Sequence, residues 1–362
     1  MSSNKNQHFV PKCYLRQFST SENNAVICLF NLDREKFVST APIKHQCSGN
    51  YFYGKDELLE QAIQSVEGAY ATTVKRIHDL NYRLTELDRT ILKTFWLFQH
   101  LRTEAAAKRA VEISSSFGSA AGVEKPDFKL EIHDAVQMAM KAFSQEMRAV
   151  SDLKLCLLKN KTNIPFVTSD NPAIATNRWH FKNKQRCGLS FGLKSAGLVI
   201  MLPLSPSIVC IGYDSHVYSV SHKNGWSIVK KNIDVNALNQ HQYLNCNANV
   251  YFHHSKYSDQ ISNEFSQIKN IRPEATYRIN YAVLDYEENG HKRFRAVSNH
   301  NESEHKEALI HVQRVYPEPK NWPHQITWRN RGVVYTNGTG VGYLRREWCV
   351  EGSGPRFTKE LA

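Results

Sequence analysis

Apolar residues spaced three and four apart dominate the first half of the chain. Ile63, Val66, Tyr70, Val74 and Ile77 fall on one face of a helix that the pattern starts near Lys55. A second helix begins at Glu86, where Thr85 supplies a cap and Asp88 stands at the capping-box position. Its stripe of Ile91, Phe95 and Phe98 continues through Arg102 to about Ile113. Ile132, Val136, Met140 and Phe143 repeat the period and predict a third helix over Pro126 to Val150. The small and polar residues from Ser114 to Gly122 read as the connector between the last two.

On both sides of this block the period changes. Ala25 to Leu32 is a nearly continuous apolar run, Asp33-Arg34 a turn and Phe37 to Thr40 a partner strand, so the pattern predicts an N-terminal hairpin. Past Asp152, runs at Leu153 to Leu158, Ile164 to Ser169, Ala196 to Leu204 and Ser207 to Tyr213 read as strands. Helices over Val235 to Ala248 and Asp259 to Lys269 precede strands near Tyr277 to Leu284 and Ala308 to Val315. The fold class is therefore α+β: an N-terminal hairpin and long-helix block followed by a largely antiparallel sheet, rather than alternating βαβ units. Residues 1–260 read as one α+β domain, helical over 55–150 and sheet-rich over 151–260, and residues 261–362 as a β-rich basic extension, either separate or part of the same domain.

Composition narrows the setting. No window holds the roughly 18 consecutive apolar residues of a membrane helix and no apolar run follows the polar start, so the expectation is a cytoplasmic protein without a membrane partner. The eight cysteines form no CxxC pair, which suits a reducing compartment, and the sixteen histidines show no metal-ligand spacing. Lys and Arg number 46 against 34 Asp and Glu, a net charge of +12. That surplus favours polyanions, with nucleic acid the leading partner, although a merely solvated basic surface has the same composition. The surplus is visible at the C-terminal end, where Arg314, Arg329, Arg331, Arg345 and Arg346 interleave with Tyr316, Trp322, Trp328, Tyr335 and Tyr343. Cations and stacking rings together suit single-stranded nucleic acid. The same stretch holds Val333 to Gly338, an apolar run ending in Asn-Gly, and a plain hairpin is the favoured reading of it.

The opening segment His8-Phe9-Val10-Pro11-Lys12-Cys13-Tyr14-Leu15-Arg16-Gln17-Phe18 resembles the N-terminal signature of the bacterial domain-of-unknown-function family numbered 4238. Phe166-Val167-Thr168-Ser169-Asp170-Asn171-Pro172, the Cys47 to Tyr53 turn, the Pro203-Leu204-Ser205-Pro206 turn and the Asn239 helix followed by Ala248 to Tyr251 fit the same resemblance, which runs from about residue 8 to about 255. It implies a bacterial or phage-related origin, an intracellular setting and no established reaction; a role in phage defence or as a toxin is the broadest expectation it lends.

Within these motifs a few residues carry chemistry. His8 is able to transfer protons near neutrality or to bind a metal, or else braces the motif turn. Asp170 and Asn171 stand at a strand end before a proline, a position suited to a site and equally to an Asx turn. Arg102 continues an apolar stripe into the core and therefore needs a carboxylate, for which Glu67 or Asp170 are the candidates. Were His8, Glu67, Arg102 and Asp170 to converge, they would suit metal-assisted hydrolysis of a phosphodiester, with Mg2+ or Mn2+ as the ion. The alternatives are a non-catalytic module that binds nucleic acid or senses an effector, and a structural interaction protein.

Overall fold

The structure, a computed structural model, describes residues 5–21, 23–79, 82–120, 130–183, 190–288, 291–297, 307–350 and 355–362. Pro11, fixed in an extended conformation, opens the short helix α1 (Lys12–Leu15), and Val10, Tyr14, Leu15 and Phe18 are completely buried. The predicted hairpin is present, with strands Val26–Asn31 and Lys36–Pro42 antiparallel. Helix α2 (Glu57–Ile77) is capped by Asp56, which accepts from the Leu58 and Leu59 amides, and it buries Ile63, Tyr70, Val74 and Ile77. Helix α3 (Glu86–Arg102) opens with the expected Thr85/Asp88 capping box. The two helices meet where Tyr70 stacks on Phe95, ring centroids 3.7 Å apart.

The second helix does not run on to Ile113. It breaks at Thr103, which is extended (φ −70°, ψ 155°), and α4 (Glu104–Ala120) starts afresh. The Thr103 hydroxyl accepts from the Ala106 amide at 3.2 Å and donates to Asn171 Oδ1 at 3.0 Å, so one side chain caps the new helix and ties it to a distant segment. The connector read at Ser114 to Gly122 is helical as far as Ala120, because an alanine-rich start carries the helix through the serines; Ala121 and Gly122 lie outside the described residues. The third predicted helix is α5 (Ile132–Glu146), and the Pro126 to Lys129 start lies outside the described residues.

The remainder is sheet with short helices. Five strands line up as Trp226–Val229, Lys154–Asn160, Ile208–Tyr213, Val199–Ser205 and Ile174–Thr176, with one parallel pair at the first junction and antiparallel pairing elsewhere. Four more, Lys36–Pro42, Val26–Asn31, Asn249–Phe252 and Thr168–Ser169, form an antiparallel sheet. Helix α6 (Arg178–Lys182) leaves the first sheet, α7 (Asn232–Asn245) lies buried beside the second, and α8 (Ser258–Ser266) covers it. Strands His291–Val297, Tyr277–Glu288 and Ala308–Arg314 form a third sheet against α4. The expected C-terminal hairpin pairs Val333–Thr336 with Tyr343–Leu344.

Alternation explains the long apolar runs. In the five-stranded sheet, Leu155, Leu157, Ile200 and Leu202 face the helical block, while Cys156, Leu158, Val199 and Met201 face a second core shared with Ile326 and Val334. A sheet buried on both faces reads as continuous hydrophobicity, which is why these strands show no polar alternation. The chain is an α+β protein.

Candidate ligand-binding site

The segment Ser169 to Pro172 is held on every side by side-chain hydrogen bonds. Ser169 Oγ donates to Gln242 Oε1 at 2.7 Å, Gln242 Nε2 donates to the Pro172 carbonyl at 3.0 Å, and Asn239 of the same buried helix brackets Pro165 and Val167. Asp170 accepts three backbone amides, those of Asn247 at 2.7 Å and of Ala248 and Asn249 at 2.8 Å each. Asn171 accepts from the Thr103 hydroxyl and donates to the Asn245 carbonyl at 2.8 Å. Two consecutive side chains thus fix the start of α4 and the turn after α7 relative to each other.

Between those two walls lies a cavity of about 450 Å3. Ala105, Lys108, Arg109 and Glu112 on one face of α4 form one side, Asn245 to Asn247 the other, and Arg272 and Arg314 close it. A second cavity, of about 280 Å3, adjoins it and shares Asn247; it is lined by Phe9, Cys47, Glu104, Asp170 and Tyr251, drawn from the opening signature, the Cys47 turn and the strand after α7. Burial pushes the Cys47 thiol up, away from the thiolate a nucleophile requires.

The electrostatics of the larger cavity are uneven. Lys108 pairs with Glu104 at 2.9 Å, Lys269 with Glu35 at 3.2 Å and Arg272 with Asp33 at 2.9 Å. Arg109 and Arg314 have no carboxylate within ion-pair distance among the described residues. Arg314 Nη1 donates to His100 Nε2 at 3.1 Å, and its guanidinium lies 4.6 Å from the Tyr316 ring centroid. The other ring nitrogen of His100, Nδ1, donates to the Ala173 carbonyl at 2.9 Å, so His100 is neutral; burial and then Arg314 lower it to about 3. Burial, with Arg314 adding to it, pulls Arg109 down to about 9. A guanidinium keeps its proton, so this direction signals a cation that Tyr316 and Glu112 offset only in part and that gains from an anion.

The residues singled out in the sequence divide among three places. Arg102 and Glu67 are joined by an ion pair of 2.8 Å. The completely buried Arg102 also donates to the carbonyls of His8 and Phe9 and packs against Phe98, with 4.4 Å to the ring centroid, so each of its three nitrogens is engaged within the fold. His8 and Glu67 line a separate cavity of about 290 Å3, away from Asp170 and Asn171. Burial, with Lys12 next, lowers His8 to about 4, and its Nε2 is buried without a hydrogen-bond partner. Asp170, Asn171 and Arg314 are the three that share the adjoining cavities. Among the described residues no group of three or more His, Cys, Asp or Glu side chains is placed to hold a metal ion.

The C-terminal arginines separate too. Arg329, Arg331 and Arg346 are exposed. Arg345 corrects the expectation of a surface contact: it is 2% exposed, binds both oxygens of Asp152 at 2.6 and 2.9 Å, and donates to the carbonyls of Ala149, Leu193 and Ser195. Its hydrogen-bonding edge is turned entirely inward, where no external ligand reaches it.

Over residues 6–256 the chain matches the family described as Protein of unknown function (DUF4238). It belongs to that family. No curated protein and no solved structure matches it. The family span contains α4, Asp170, Asn171 and the 245–247 turn but ends before Arg272 and Arg314, so the larger cavity is walled jointly by the family region and by the C-terminal region beyond residue 256. Among the described residues no helix is long and apolar enough to cross a membrane.

Reasoning from sequence missed Glu104, Arg109 and His100. Adjacent Lys108 and Arg109 on the alanine-rich Ala105 to Ala110 run were the available signal, since short neighbours leave long cations standing clear of the helix. His100 carried none, because its partners Ala173 and Arg314 are remote in the chain.

Proposed function

We propose that the protein binds a phosphate-bearing ligand, a nucleotide or a nucleic-acid strand, in the cavity between α4 and the 245–247 turn. The observation that supports this reading is the pair Arg109 and Arg314, half-buried guanidinium groups without a carboxylate partner, on a cavity of about 450 Å3. That volume falls in the range of about 300–1,000 Å3 usual for small-ligand sites. Arginine forks match phosphate oxygens in geometry and charge. The net charge of +12 would draw such ligands in from a distance.

Hydrolysis of a phosphodiester has less in its favour. Asp170 already accepts three amides of the roughly four bonds a carboxylate can take. Glu104 is engaged by Lys108, and His8 faces another cavity. Besides Asp170, a divalent ion would find only Glu112 and Glu274, exposed at the rim of the larger cavity, and among the described residues no three acidic, histidine or cysteine side chains converge to hold it.

Binding is measured by titrating nucleotides and short single-stranded RNA and DNA into the purified protein. Arg109→Ala and Arg314→Ala are each expected to weaken binding by about tenfold or more, while Arg346→Ala leaves it unchanged. Affinity should fall as salt rises. No binding by any of these ligands, or binding indifferent to both cavity substitutions, would refute the reading.

A further inference from the structure

We infer that this site takes a terminal phosphate, a phosphomonoester dianion, in preference to an internal phosphodiester; the inference rests on the phosphate reading above. It follows from counting charge. Five cations and three carboxylates line the cavity. Lys108, Lys269 and Arg272 each have an acidic partner, and Arg272 is further fixed by the carbonyls of Cys246 at 3.1 Å and Asn247 at 2.6 Å. Of the carboxylates, Asp33 is taken by Arg272, and Glu112 and Glu274 are exposed at the rim, where water screens them. What is left inside is Arg109 and Arg314, two half-buried positive charges close enough that Arg314 is the second cause of the depression of Arg109.

An internal phosphodiester carries one negative charge and would leave one of these guanidinium groups uncompensated in a partly desolvated site. A phosphomonoester carries about 1.5 to 2 negative charges at pH 7 and three acceptor oxygens, enough to serve both forks. The groups around the arginines supply only part of the missing charge: His100 is neutral, Asn171 is uncharged, Tyr316 presents its ring to Arg314, and Glu112, which eases the depression of Arg109, is exposed to water. Because the second ionisation of such a phosphate lies near pH 6, affinity should rise between about pH 5.5 and 7.5. Asp170, behind the 247–249 turn, titrates in the same window with the opposite effect, since its ionisation adds negative charge near the site. A rise in affinity with pH therefore reports the ligand.

The test compares one single-stranded RNA octamer with a 5′-phosphate and with a 5′-hydroxyl, alongside a nucleoside monophosphate, its nucleoside and a sugar phosphate, by calorimetric titration at several pH values. The 5′-phosphate should improve affinity by about tenfold or more, and the gain should vanish in Arg109→Gln and Arg314→Gln and survive in part in Arg314→Lys. Circular dichroism melting checks the fold of each variant, and the charge-retaining Lys form decides the matter if a Gln form melts early. A free monophosphate binding as tightly as the phosphorylated strand would make the source a small molecule, and binding by the strand end alone would make it nucleic acid; either supports the inference. Equal binding of both octamers, still weakened by the Gln variants, would sink the terminal-phosphate inference and leave the phosphate reading standing. Failure of every ligand to bind would sink both.

Discussion

Asp170 is a buried carboxylate that serves the backbone. Its oxygens take the amides of residues 247 to 249, so its negative charge closes a turn that would otherwise bury three unsatisfied donors. Burial nevertheless raises it from the ordinary 3.8 to about 6; the three amides oppose the shift and Glu104 adds to it. Between those two values the folded chain holds a proton that the unfolded chain has released. The stability linked to Asp170 is therefore fully present below about pH 4, lost as pH rises toward 6 and flat above about pH 7, an effect of about 3 kcal/mol. Urea unfolding of the native chain and of Asp170→Asn, whose side chain does not titrate, measures it: the difference between the two should fall from pH 4 to 6, and a difference constant across that range would show that the carboxylate is unperturbed. Arg102 is the contrasting case. A charge in an apolar stripe demanded a partner, and Glu67 meets that demand within the fold.

At the scale of elements, the break between α3 and α4 decides the geometry of the cleft. Thr103→Val keeps the shape of the side chain and removes both the cap on Ala106 and the bond to Asn171. It should cost about 1–2 kcal/mol in thermal or urea unfolding and weaken nucleotide binding, because the first two turns of α4 carry Ala105, Lys108 and Arg109 into the cavity wall. Unchanged affinity together with lowered stability would show that the cap holds the helix but not the site. This junction was hidden in the sequence, since Glu104 and three alanines favour uninterrupted helix and the competing partner is 68 residues away. The features legible in the sequence had local causes: the capping box at Thr85, the apolar face of α2, the hairpin after Ala25. Arg345 was misplaced for the same reason that the break was missed. Its partner Asp152 lies 193 residues away, and a basic, aromatic context resembles a surface until the fold closes over it.

For the whole molecule, the two-faced sheets bear on how much of the chain folds by itself. The family span supplies every buried member of one core, the cluster between the helical block and Leu155, Leu157, Ile200 and Leu202. The opposite face of that sheet is completed from outside the span by Ile326, Val334, Trp322 and Tyr343, and the four-stranded sheet is completed by Ile261, Phe265 and Ile268, with Phe265 set edge-on against Phe30 at 6.2 Å. Arg345 fastens the late region to Asp152 and to three carbonyls of the earlier one. Deleting residues 257–362 would expose apolar surface on both sheets, at about 1.5–3 kcal/mol for each large side chain lost. Seven such losses match the whole stability margin of a typical domain, about 5–15 kcal/mol. Residues 6–256 expressed alone should therefore bind a hydrophobic dye strongly and lack a sharp thermal transition, whereas the full chain unfolds cooperatively. A truncated chain that melts in one transition at the full-length temperature would show that the later region is an independent unit, and the cavity that needs Arg314 would then be an interface between two folding units rather than a cleft within one.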